Sequence, residues 1–403
     1  MLEVVSLEEA RSIVAKRFAE YAVSFESVSH TQAAGRILAQ NIVAEEGVPP
    51  FDRSTVDGFA VCAADTFGCS DALPALLNLT GEVEMGEEVN VSCAPGTCIR
   101  IPTGGKVPAG ADAVVMLEYC EEYGDGTIGV AKPAAPGDGI VFENDDIAPG
   151  SVLIEASTRL QAHHVGTLAS LGLTTCNVLA RMKVGIVSTG DEIVEVAATP
   201  VASQMRDVNT PLLASAVEAC GGDAACFPIV PDDYDALLDT AREALNACDM
   251  VLVSGGSSAG QKDNTARVLE ELGELLFHGI AVKPGKPTMC ANCAGKPVFG
   301  LPGHPAAAYF MFLELAAPLL DPAQAHTAPV HATLTQGLPS NHGRTELVPV
   351  RLKLAEGGLQ ADPIRSKSGL ISQLCTADGY LEIDRNTEGL AAGSTVRVRP
   401  FTS

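Results

Sequence analysis

VLVSGGSSAGQKDN, from Val251 to Asn264, passes from an apolar run into glycines and then into a segment, Thr265 to Leu272, with helical spacing. The order strand, glycine loop, helix is the unit from which parallel α/β sheets are built. Gly255, Gly256 and Gly260 let backbone approach a ligand and turn N–H groups outward, a disposition suited to oxyanions. A plain surface connection would read the same way, so the flanking sequence must decide. KVGIVSTGDEI from Lys183, NTPLLASAVEACGG from Asn209, DMVLVSGGSSAG from Asp249 and KPVFGLPGHPAAAYFMFLELAAPLL from Lys296 alternate strands with helices. That alternation predicts a doubly wound, mostly parallel sheet covered by helices on both faces. Thr210-Pro211 is a helix start and Gly221 a stop.

Outside this region the pattern changes. From Pro49 to Pro136 short β-like runs broken by Gly and Pro, such as CIRIPTGGKVPAGADAVVMLE, predict a β-rich domain. QAHHVGTLASLG, from Gln161 to Gly172, reads as a helix stopped by glycine. After Pro322, TELVPVRLKL, GLQADPI, GYLEIDRN and STVRVRPF predict a small C-terminal β domain. At the other end Ser6 and Glu9 form a capping box, and Leu7, Ala10, Ile13, Val14 and Phe18 form one apolar stripe.

A chain of 403 residues with 46% hydrophobic content is long enough for two to four packed domains. The formal net charge of -24 argues against general affinity for nucleic acid or an anionic membrane. No apolar run is long enough to span a bilayer, and MLEVVSLEEARSIVAKRF has acidic residues where a signal peptide is basic and then apolar; a cytoplasmic protein is expected. The twelve cysteines are scattered. Their one close pair, Cys290 and Cys293 in CANC, lacks a second CxxC or a nearby His, so reduced thiols rather than zinc ligands are expected.

Three strands of the α/β region end in similar punctuation: Val184 to Thr189 before Gly190, Asp191 and Glu192; Val251 to Ser254 before the glycine loop; Val298 to Leu301 before Pro302, Gly303, His304 and Pro305. In an open parallel sheet such loops converge on one crevice beyond the strands' carboxyl ends. Glu192 and Asp263 bring carboxylates to it, and carboxylates sharing an oxyanion site imply a cation, with Mg²⁺ the usual choice. Asp191 reads rather as a helix N-cap, and His304 as a residue that positions the next helix. Lys283 and Lys286, on the proline-stiffened AVKPGKPTM, read as fixed cations for an anion, with ordinary surface lysines as the alternative.

PPFDRSTVDGFAV at Pro49, RIPTGGKVPAGADAVVMLE at Arg100, VSTGDEIV at Val187, VSGGSSAGQKD at Val253, VKPGKP at Val282 and GLPGHPAAA at Gly300 follow one another in the order of the MoeA family's signatures. The chain resembles that family, the molybdopterin molybdenumtransferases, which is similar to the E domain of gephyrin. The resemblance implies a multidomain α/β plus β fold: a helical linker domain (1-24 and 143-176), a β-rich N-terminal domain (25-142), a MogA/MoaB-like α/β domain (177-322) and a small C-terminal β-barrel domain (323-403). It also implies a homodimer and a reaction: molybdate is inserted into adenylylated molybdopterin, with Mg²⁺-dependent hydrolysis and release of AMP. A MogA/MoaB-type adenylyltransferase and recipient molybdoenzymes are the partners it suggests.

Carried onto this sequence, the resemblance implies Asp57, Glu192 and Asp263 as catalytic residues, Glu192 and Asp263 also as metal ligands. Substrate would be bound by Thr103, Gly255, Gly256, Ser257, Lys283, Lys286, Pro302, Gly303, Arg344 and Ser368, with Ser366 in the same RSKSG run. Asp57 could serve the cleft of the neighbouring subunit. Read without the resemblance, Asp57 before Gly58 and Thr103 before two glycines are turn residues. The sequence also departs from the family pattern. PGHPAA stands where PGNPVS is common, so His304 replaces Asn and Ala307 replaces Ser; SSAG stands where VSVG is common. These changes touch the choice between molybdate and tungstate, since a lost hydroxyl at an oxyanion site costs about 1 kcal/mol. Two further functions fit the same motifs: a non-catalytic molybdopterin-binding scaffold, and a paralogue that inserts tungstate.

Overall fold

The structure is a computed structural model that describes residues 4–19, 24–255, 264–321, 328–364 and 371–401. The chain divides into two compact units, one of Met1–Glu26, Gly35–Ile37 and Val178–Ser403, the other of Ser27–Ala34 and Leu38–Asn177.

The first unit is built on a six-stranded sheet ordered Asp223–Cys226, Lys183–Thr189, Met250–Gly255, Lys296–Leu301, Met289–Cys293, Glu274–His278. The first four strands are parallel and the hairpin strand Met289–Cys293 is antiparallel to both neighbours. Successive strand residues face opposite sides. Ile186, Met250, Leu252, Phe299 and Leu301 join one core with the helices Leu7–Arg17, Asn209–Ala219 and Pro305–Met311. Val187, Val251, Val253 and Val298 join the opposite core with the helices Tyr234–Ala247 and Asn264–Leu272. A doubly wound α/β sheet is therefore what the alternating runs encode. The capping box at Ser6 is formed, with Glu9 N–H donating to Ser6 Oγ at 3.1 Å and Ser6 N–H to Glu9 Oε2 at 2.7 Å.

Beyond the sheet, Val330–Leu334, Thr345–Ala355, Gly358–Pro363, Gly379–Ile383 and Thr395–Pro400 close on one another as a five-stranded barrel. The short strand Val282–Lys283 runs parallel to the start of Thr345–Ala355, which fixes the lysine segment against the barrel. Behind this junction the helix from Pro305 widens into a π turn over Phe312–Ala316 that holds buried Glu314. Its carboxylate accepts from Arg11 Nε at 2.8 Å, from the Tyr380 hydroxyl at 2.5 Å and from Arg399 at 3.1 Å.

The second unit holds a six-stranded mixed sheet, ordered Ala113–Met116, Gly58–Val61, Thr97–Ile101, Ala75–Glu82, Thr127–Val130, Cys120–Glu122, and the helix Ala162–Ser170. Gly58 has no room for a side chain, because a Cβ there would lie 2.0 Å from Val115 O. Among the described residues, no helix is long and apolar enough to cross a membrane.

Candidate functional site

The chain leaves Lys183–Thr189 toward one edge of the sheet to form Asp223–Cys226, then crosses back to form Met250–Gly255 on the other side. The chain thus leaves the two adjacent strands in opposite directions, the arrangement that opens a crevice at the strands' carboxyl ends. The third loop, after Leu301, borders the same crevice. The loops after Thr189 and Leu301, the strand end Ser254 and Gly255, and Lys283, Lys286 and Arg344 line one cleft of about 1980 Å³.

In the first loop Asp191 does not cap a helix as its sequence context suggests. A tight turn follows the strand, closed by Ile193 N–H donating to Gly190 O at 3.1 Å, and the next helix begins only at Asn209. The Asp191 carboxylate instead accepts from the Asp232 N–H at 3.0 Å and so ties two loops together. Glu192 beside it is exposed in the cleft, and its carboxylate has no hydrogen-bond or ion-pair partner among the described residues.

In the second loop Gly255 adopts φ +114°, and a Cβ there would lie 2.0 Å from Thr189 O. Only glycine lets the two strand ends come this close. Gly256, Ser257 and Asp263 lie outside the described residues, as do Ser366 and Ser368. In the third loop Pro302 is buried, Gly303 is exposed, and His304 stands at the start of Pro305–Met311 without a side-chain capping bond. Ala307 also lines the cleft and is itself buried.

The two lysines, read from the sequence as an equivalent pair, differ. Lys283 Nζ is 2.6 Å from Glu346 Oε1, and that carboxylate is only 14% exposed and also accepts from Ser340 Oγ at 3.1 Å. An anion must compete with Glu346 for Lys283. Lys286 has no such partner among the described residues and faces the cleft. Lys286→Ala is accordingly expected to weaken oxyanion binding by about 1.5–3 kcal/mol, the range for a charge-assisted hydrogen bond. Calorimetric titration with AMP and with molybdate checks this; unchanged affinities for both would remove Lys286 from anion recognition.

Asp207, Asn209 and Asp232 also line the cleft, although no motif drew attention to them. Asp207 Oδ1 accepts from Thr210 N–H at 3.0 Å, so Asp207 does at the Asn209–Ala219 helix the capping expected of Asp191. Asp232 Oδ1 accepts from Thr189 Oγ1 at 3.2 Å. The available signal was positional, an Asp just ahead of a helix start in RDVNTP and in VPDDYD. Cys290 and Cys293 are buried strand residues, and burial pushes the Cys293 thiol up to about 11. Such thiols are poor metal ligands.

In the other unit, Asp57 and Thr103 meet across a 46-residue separation: Thr103 N–H donates to Asp57 Oδ1 at 2.7 Å. Asp57 thereby orders the turn at Gly104, which has φ +82°.

Family models cover most of the chain. The MoeA N-terminal region (domain I and II) matches residues 5–172, the "Probable molybdopterin binding domain" residues 185–322, and the MoeA C-terminal region (domain IV) residues 331–401. The molybdopterin molybdenumtransferase of Bacillus subtilis is 32% identical over 373 residues, spanning 90% of this chain and 86% of that one. The chain belongs to the MoeA family. Another relative, the molybdopterin molybdenumtransferase of Haemophilus influenzae, is 29% identical over 99% of both chains. The crystal structure of the molybdopterin biosynthesis MoeA protein from Pyrococcus horikosii superimposes with a TM-score of 0.86 at 37% identity, covering 100% of each chain. Within this MoeA-family chain the cleft is lined mostly by the segment matched by the molybdopterin-binding model, with Val4 and several residues of the C-terminal region, Arg344 among them, added.

Proposed function

We propose that the protein is a molybdopterin molybdenumtransferase of molybdenum cofactor biosynthesis, which inserts molybdate into adenylylated molybdopterin and releases AMP. One observation carries this reading: in a MoeA-family chain, the switch-point cleft holds a carboxylate with no partner among the described residues, Glu192, together with Lys283, Lys286 and Arg344. The substrate joins a pterin to AMP through a phosphoanhydride, and its co-substrate is an oxyanion. Lys286 and Arg344 bind and orient that negative charge, and the glycines of the second loop's sequence suit close approach of backbone N–H groups to it. Asp57, held by the Thr103 N–H, is a further acidic group of the proposed reaction.

Carboxylate oxygens are the donors that Mg²⁺ takes, and Glu192, exposed in the cleft with no partner among the described residues, fits that ion. Glu192 and Asp263 would hold it, and it would offset phosphate charge when bound. The described residues contain no group of three ligating side chains, so on this reading substrate oxygens and water complete the shell. A homodimer in the cytoplasm, supplied by a MogA/MoaB-type adenylyltransferase and serving molybdoenzymes, completes the proposal.

The test is incubation of purified protein with adenylylated molybdopterin and Mg²⁺, with molybdate or tungstate, following AMP release. Release that requires both the divalent cation and the oxyanion is expected. Binding of adenylylated molybdopterin with no AMP release under any of these conditions would instead make the protein a scaffold.

A further inference from the structure

We propose that Glu346 sets how tightly this cleft holds an oxyanion: its carboxylate, paired with Lys283, cancels part of that lysine's charge, so that a bound oxyanion is held loosely enough to be passed on. The inference rests on the functional reading above, in which the oxyanion is a co-substrate, and adds to it a residue that tunes oxyanion binding through Lys283.

Lys283 lines the cleft and Glu346 does not. Their pairing is built into the backbone. Val282–Lys283 runs parallel to the start of Thr345–Ala355 with Lys283 in register with Glu346, and beside them Thr345 N–H donates to Ala281 O at 2.9 Å. Residues in register on paired strands share one face of the sheet. Lys283 Nζ meets Glu346 Oε1 at 2.6 Å, while the other oxygen, Oε2, accepts from Ser340 Oγ at 3.1 Å. The glutamate side chain is 14% exposed and the lysine side chain 48%, so the carboxylate is fixed while the ammonium still meets solvent and ligand. Of the lysines and arginines that line the cleft, Lys283 alone is ion-paired among the described residues.

An ammonium carries three N–H donors, so the contact with Glu346 uses one and leaves two for a ligand. What the pair removes is charge. A negative charge this close to the cation weakens the attraction for any anion that Lys283 touches, and the energy scales with the anion's own charge. The oxyanion of the proposed reaction must be given up as it is transferred. Binding that holds ground state and transition state alike lowers KM without raising kcat, so weaker ground-state binding at Lys283 sacrifices no rate at saturation. Lys286 and Arg344, with no ion-pair partner among the described residues, supply the charge that attracts the oxyanion, and Lys283 adds donors of reduced charge. A purely structural pair, tying the lysine segment to the barrel, would affect stability and would carry no dependence on ligand charge.

The experiment measures, by equilibrium dialysis with the bound metal counted, the affinity of the full-length protein for molybdate and for perrhenate, a dianion and a monoanion of similar size and tetrahedral shape. The proteins compared are wild type, Glu346→Gln and Ser340→Ala. Glutamine keeps the length of the side chain and removes its charge. Glu346→Gln is expected to bind perrhenate about threefold and molybdate about tenfold more tightly, the dianion's gain being the square of the monoanion's because the interaction is proportional to ligand charge. Ser340→Ala frees one carboxylate oxygen but keeps the charge, and should gain affinity for neither anion. In the AMP-release assay Glu346→Gln should show a KM for molybdate lowered by about tenfold with kcat no higher. Should the glutamine variant not fold, Glu346→Met removes the charge at similar length. Molybdate affinity in a folded Glu346 variant equal to or below that of wild type, equal gains for the two anions, or a raised kcat would overturn the inference while leaving the functional reading intact. Failure of wild type to bind either anion would overturn that reading and this inference with it.

Discussion

Glu192→Gln is expected to abolish Mg²⁺-dependent AMP release while leaving the fold unchanged. The carboxylate is exposed in the cleft and forms no side-chain bond to the described residues; only the backbone of Glu192 is engaged, its carbonyl accepting from Met205 N–H at 2.8 Å. Glutamine keeps the shape and that backbone bond, so the thermal midpoint should move by less than about 0.5 kcal/mol equivalent, as for surface changes generally. Activity depends on the charge. A neutral amide cannot offset a divalent cation at a phosphoanhydride, and losing one preorganised electrostatic group at a reacting centre costs about a hundredfold or more in rate. Asp191→Ala is the informative contrast, because Asp191 accepts from Asp232 N–H and losing that acceptor should disturb how the two loops meet. AMP release within a few-fold of wild type in a folded Glu192→Gln protein would exclude Glu192 from the mechanism.

The local elements of this cleft were legible in the sequence, and its cross-chain contacts were not. Strands such as VLVSG and KVGIVST announce themselves as apolar runs before glycines, since both faces of a parallel sheet are buried. The crevice follows from winding alone, so the ends of three strands far apart in sequence could be assigned to it. What periodicity cannot carry is the identity of a partner. Lys283 reads as a free cation until Glu346, 63 residues on, is seen to hold it. Asn209 reads as an ordinary helix start until Ser254 and Gly303, 45 and 94 residues away, fix its amide. Asp191 was misread because an Asp after a strand and glycine suits either a helix cap or a tight turn, and the choice was made by the Asp232 N–H. Glu314 is the extreme case, one acid in the run YFMFLELAAPLL whose partner Arg11 lies 303 residues away.

Glu314→Gln is expected to destabilise the junction between the barrel and the helices of its unit by about 2–3 kcal/mol. The Glu314 side chain is 1% exposed and sits between Arg11 and Arg399, with Glu382, 2.8 Å from Arg11, the only other carboxylate among the described residues paired with either. Breaking a fully buried ion pair costs about 3–5 kcal/mol, but the side chains of Arg11 and Arg399 are 27% and 52% exposed, so water recovers part of that loss. Alkaline pH should distinguish this electrostatic cost from simple repacking. Burial, and next the negative charge of Glu314, hold the Tyr380 hydroxyl well above its ordinary range. The stability tied to a raised value is fully present below the unfolded-state pKa of about 10 and is lost as pH climbs toward the folded value. Glutamine removes the charge contribution, so the variant's Tyr380 loses less on that climb. The wild-type advantage should therefore be largest near pH 8 and should narrow above about pH 10. Urea titrations at both pH values, read by hydrogen exchange in Gly379–Ile383 and Thr395–Pro400, measure it locally. Equal midpoints at pH 8 would mean that the charge on Glu314 contributes nothing net, and that shape alone holds the junction.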